Sequence, residues 1–168
     1  MTSTIFTALR NNLLTNVKDG NGNTVFKTVE LWNNQVEHEL AGTDDDKPRL
    51  LPACYIEFAD MEDGGQNTQK VLHKNFKTIL HIVYTSLKDN DVSFLDTKQL
   101  CYKYTQWFET DTCSKFLWKA EVANTNFGNL RWYQQIYLAK LKDFTAQNTP
   151  NVGTVANMTT TPDILPNI

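Results

Sequence analysis

Residues 74–86, KNFKTILHIVYTS, alternate with period two: Phe76, Leu80, Ile82 and Tyr84 fall on one side, and Ile79, His81 and Val83 on the other. Both sides are largely apolar. The stretch therefore reads as a strand covered on both faces, either by the chain's own helices or by a neighbouring subunit.

Upstream, LPACYIEF (51–58) reads as a second strand, opened by Pro52, whose missing N–H does no harm at a first strand position. The polar, Gly-containing ADMEDGGQNTQ (59–69) between the two runs reads as a loop. TVFKTVELW (24–32) alternates as well, with Val25, Val29 and Leu31 opposite Phe26, Thr28 and Trp32, and predicts another strand. NNQVEHELAG (33–42) predicts a short turn of helix ending at Gly42, followed by the charged loop TDDDKPR (43–49). At the start of the chain, Ile5, Phe6, Leu9, Leu13 and Val17 recur at helical spacing. They predict an amphipathic helix over 4–17, which Thr2, Ser3 or Thr4 can cap and KDGNGN (18–23) ends.

Downstream, residues 92–109 return to helical period, with Leu100, Cys101, Tyr104, Trp107 and Phe108 as the apolar stripe. KFLWKAEVA (115–123) and RWYQQIYLAKLKDF (131–144) read as two strands joined by NTNFGNL (124–130), a hairpin with a longer loop. From Thr145 the chain turns rich in Thr, Asn and Pro and loses any period, yet it keeps Val152, Val155, Met158, Ile164 and Leu165. Spaced apolar residues in an extended tail point to an arm that docks on a partner subunit. The expected fold is α+β, a mostly antiparallel sheet of about five strands against two helices. One domain spans 1–144 and the arm spans 145–168.

Composition narrows the function. At 168 residues, 40% hydrophobic and 21% charged, the chain has the make-up of one ordinary domain, and a net charge of -3 disfavours a protein whose main task is gripping nucleic acid. Cys54, Cys101 and Cys113 are odd in number and lack a CxxC pair, so free thiols in a reducing compartment are expected rather than disulfides or zinc. The turn places Asp19, Asn21, Asn23 and Glu30 at positions 1, 3, 5 and 12 of a calcium-loop spacing. But Thr24 stands where that loop needs glycine, Lys27 stands at position nine, and a strand is expected after it, so no metal site is assigned. His38, His73 and His81 lie in separate elements without a nucleophile or zinc motif, so neither a catalytic residue nor a cofactor is assigned. Aromatic content of 11%, a two-faced apolar strand and an apolar-spotted arm point instead to an assembling subunit.

WNNQVEHE (32–39), LPACYIEF (51–58) and KTILHIVY (77–84), followed by an aromatic-rich helix and two closing strands, resemble the tail-completion or tail-terminator proteins of tailed bacteriophages, also called neck or head-tail joining proteins. The resemblance covers roughly residues 3–144. It implies a structural virion subunit that closes with copies of itself, six or twelve, into a ring between the portal-bearing head and the tail, with DNA passing through the lumen. It also implies assembly in the host cytoplasm, with portal or adjacent ring proteins as further partners; no segment approaches the apolar length of a membrane span, so no membrane is expected. The arm after Phe144 and the GTDDDKPRL segment (42–50) depart from a plain terminator. The residues expected at subunit interfaces are Ile79, His81, Val83, Asp60, Glu62, Asp63, Lys74, Val152, Val155, Ile164 and Leu165. The competing expectation is a small ligand- or cation-binding module using the 59–69 loop.

Overall fold

The computed structural model describes residues 2–40, 50–66, 72–85, 93–127 and 130–143. The expected arm, with Val152, Val155, Ile164 and Leu165, lies outside the described residues. The elements follow the expected order: α1 (Thr2–Asn16), β1 (Thr28–Leu31), α2 (Gln35–Leu40), β2 (Ala53–Gln66), β3 (Leu72–Thr85), α3 (Ser93–Thr105), β4 (Leu117–Phe127) and β5 (Leu130–Asp143). They form an α+β fold around one five-stranded sheet of order β1-β2-β3-β5-β4. Among the described residues, only β1 and β2 run parallel. No helix among the described residues is long and apolar enough to cross a membrane.

β3 is central, as its two apolar faces require, paired to β2 on one side and along its whole length to β5 on the other. Phe76, Leu80, Ile82 and Tyr84 face the main core, which α1 fills with Ile5, Leu9 and Leu13 and α3 with Phe94 and Cys101. These α1 positions repeat every four residues, so they line one helical face. On the opposite sheet face, Ala53, Tyr55, Val83 and Trp132 form a smaller core capped by Val36 of α2 and by Trp32. Cys54, Cys101 and Cys113 are free and buried. Burial pushes the Cys54 and Cys101 thiols up, which keeps them inert.

Several sequence expectations change. The polar stretch from Ala59 to Gln66 is strand rather than loop: Ala59 pairs with Lys77, Glu62 with Asn75 and Asp63 with Lys74, with irregularities between these pairs. Bulges let a polar, Gly-containing stretch hold its partner strand where side-chain alternation gives no signal. β1 is short, beginning at Thr28, and Leu31 is exposed rather than sharing a buried face with Val29. β4 and β5 pair further into the expected loop than alternation suggests, with Phe127 opposite Leu130. α3 stops at Thr105. Trp107 then takes a φ of 69° and leaves the apolar stripe to stand 61% exposed.

The turn after α1 explains its own composition. Asp19 Oδ1 accepts from the backbone N–H groups of Asn21 and Asn23 at 2.9 and 2.8 Å, and Gly22 takes a φ of 82° that side chains resist. These hydrogen bonds to the ionised form hold the Asp19 carboxyl below its ordinary range. Asp19→Ala is expected to lower the melting temperature slightly, with the same shift in calcium and in chelator. Because the folded-state pKa is depressed, the Asp19 contribution is present above the ordinary carboxylate range and fades as pH falls through it.

Candidate subunit interface

His81 sits mid-strand in β3 and is 1% exposed. Trp132 Nε1–H, which can only donate, donates to His81 Nδ1 at 3.1 Å. His81 Nε2 therefore carries the proton of the neutral ring and donates to Glu57 Oε2 at 2.7 Å. Trp32 stacks on the ring with centroids 3.8 Å apart and planes 1° apart. Desolvation lowers the His81 pKa, outweighing the hydrogen bond and charge of Glu57, which act to raise it. With both nitrogens engaged and one face under indole, this histidine ties β2, β3 and β5 together and offers no nitrogen to a substrate.

The expected interface residues divide accordingly. Ile79, His81 and Val83 are 8%, 1% and 2% exposed, so within the single chain their cover is its own Trp32, Trp132 and neighbouring strands. Asp60, Glu62 and Asp63 fall on the far half of β2, and Lys74 pairs opposite Asp63 on β3. That half of β2 extends beyond β1, whose pairing ends at Ile56. Among the described residues, the outer side of β2 beyond that point carries no strand.

Large apolar side chains that do reach solvent gather elsewhere. Leu117, Trp118 and Val122 of the edge strand β4 are 47%, 45% and 39% exposed, and Leu95, Tyr102, Trp107 and Leu138 beside them are similarly open. Since successive strand residues face opposite ways, β4 shows apolar surface on both faces. On the helix side, Tyr102 and Trp118 meet edge to face at 6.2 Å over a groove of about 460 Å³ also lined by Leu95, Lys98, Gln99 and Glu121. Lys98 and Glu121 form an ion pair across it. On the other face, Leu117 and Leu138 stand opposite each other above a groove of about 570 Å³ that Lys77, Lys115 and Lys140 border. Among the described residues, the other exposed large apolar side chains, Leu31 and Leu50, lie at the opposite sheet edge, on β1 and ahead of β2. A larger cleft of about 950 Å³ lies between the turn at Lys18–Gly20 and α3, but Asp19 on its rim is committed to the turn.

The sequence carried one signal for the β4 surface. Leu117 and Trp118 are adjacent, so they point to opposite faces, and only a central strand hides both. Nothing local says that β4 is an edge.

The class that fold and surface define is an α+β protein with an open sheet and apolar side chains exposed along its edges. No family model matches the sequence, and no curated protein does. Among solved structures, a chain from the virion of a native gene transfer agent particle is similar at 8% identity and a TM-score of 0.43, over 66% of this chain and 87% of that one.

Proposed function

We propose that this chain is a structural virion protein of a tailed bacteriophage. In this reading it assembles with copies of itself into a ring of six or twelve in the neck or tail, joins the portal-bearing head to the tail and lets DNA pass. It acts by packing and shape rather than by catalysis.

The observation that carries this reading is the distribution of exposed apolar side chains. Among the described residues, seven stand around β4 and α3, and two stand at the β1–β2 edge. An edge strand exposing Leu, Trp and Val on both faces is a liability for a monomer. A closed ring needs two different adhesive surfaces per subunit, because its contacts are head to tail. The sequence resemblance to tail-completion proteins supports the same reading. Asp60, Glu62, Asp63 and Lys74 belong to it as contacts of the β2–β3 hairpin, and Val152, Val155, Ile164 and Leu165 as contacts of the arm. Ile79, His81 and Val83, covered by the chain's own side chains, enter it as the packed layer that supports the surface. The competing module reading has lost most of its loop, since residues 59–66 pair as strand.

Native mass spectrometry and negative-stain imaging of the full chain test the proposal. The expected result is a closed species of six or twelve copies. A monodisperse monomer at high concentration counts against it.

A further inference from the structure

We propose that copies of this chain join by opposite charge as well as apolar contact: the basic β5–β4 edge of one copy, with Leu117, Trp118 and Val122, docks on the acidic β1–β2 edge of the next, where Leu31 and Leu50 are exposed. The inference rests on the ring reading and adds to it which surface meets which.

The sheet order turns a charge asymmetry along the sequence into one across the molecule. β1, α2 and β2 together hold seven Asp and Glu and no Lys or Arg. β4 and β5 hold four Lys and Arg against two Asp and Glu. Because β1 and β4 are the two edges, these groups lie at opposite ends of the sheet. Arg10 and Lys27 stand beside β1 and offset part of the negative charge, Arg10 by donating to the Val29 carbonyl at 2.9 Å. At the other edge, Glu121 is neutralised by Lys98. Lys115, Lys119 and Lys140 are exposed around Leu117, and among the described residues no carboxylate lines the groove beneath Leu117 and Leu138.

Like edges brought together repel, whereas unlike edges attract and orient each other before apolar contact forms. A self-matching contact through β4 would place lysines against lysines. The charge pattern therefore selects a head-to-tail partner, a second copy, for both edges. Apolar residues inside a charged rim are also the ordinary anatomy of a specific interface.

Two full-length variants test this, each checked by circular dichroism and thermal melting against wild type. One carries Lys115→Glu, Lys119→Glu and Lys140→Glu, and the other Glu30→Lys, Glu37→Lys and Glu62→Lys. Each alone is expected to lose self-association by about ten-fold or more, and an equimolar mixture to recover the wild-type copy number. Independently of any substitution, raising NaCl from about 0.05 M to about 0.5 M is expected to weaken wild-type assembly, since screening shortens the reach of exposed charges. If wild type forms a ring while both variants assemble equally well, the edge pairing is overturned and the ring reading stands. A mixture that stops at a dimer overturns the head-to-tail contact in favour of a self-matching one. A wild type that stays monomeric at every concentration and salt overturns both.

Discussion

Replacing Tyr137 with alanine is expected to lower the unfolding free energy by about 3–5 kcal/mol. Tyr137 is fully buried on the helix side of β5, against Phe116 at a ring separation of 6.4 Å. Its hydroxyl donates to Gln135 Oε1 at 3.0 Å, and burial pushes the phenol up, so it stays a neutral donor. Gln135 in turn donates to the Lys98 carbonyl at 2.9 Å and to Glu121 at 3.2 Å. One ring thus holds up a polar chain that joins β5 to α3 and to β4, the elements that carry the exposed apolar surface. Tyr137→Phe keeps the ring and removes only the donor, leaving a buried acceptor short, and is expected to cost about 1–3 kcal/mol. Denaturant unfolding of both variants separates the two contributions. If Tyr137→Phe cost as much as Tyr137→Ala, the hydroxyl and not the ring would be the principal contribution.

Trp132→Ala is expected to cost a similar amount, about 3–5 kcal/mol, because a 5% exposed indole is removed from the smaller core and His81 Nδ1 loses the nearer of its two partners, keeping only the Gln134 amide at 3.5 Å. The same cluster sets an acid limit. The folded-state pKa of His81 lies below its ordinary value, so the unfolded chain takes up a proton first as pH falls. Stability from the neutral, packed ring is therefore whole above the ordinary imidazole pKa of about 6.5 and declines as pH falls from there toward the folded value. Protonation also places a second donor opposite the Trp132 N–H, where an acceptor is needed. Denaturation measured from neutral to mildly acid pH checks this: wild type is expected to lose stability across that window, and His81→Gln to be flatter while starting lower. Asp19 contributes its own acid loss only in the carboxylate range, so the two windows stay distinct.

Elements with a strong local period are legible in the sequence. α1 was legible because Ile5, Leu9 and Leu13 repeat along one helical face, and β3 because alternation persists through Phe76 to Tyr84. The far half of β2 was not. Ala59 to Gln66 has no alternation to read, and it is strand because Lys74, Asn75 and Lys77 stand opposite with backbone groups to match. Trp107 left its stripe because α3 ended two residues earlier, and helix ends are set by capping and tertiary contact more than by period.

The candidate interface divides the same way. The charges and the apolar residues of β4 stand in the sequence, but whether a strand is central or an edge depends on its neighbours. β3 and β4 both carry apolar residues on opposite faces. Pairing buries β3 between β2 and β5, and it leaves β4 with a partner on one side only among the described residues. By itself the sequence determined the helices and strands that carry a strong local period, since periodicity and turn chemistry act over a few residues. Only the tertiary structure decided which apolar faces remain open and that acidic and basic segments end at opposite edges, because strand order is a property of long-range pairing.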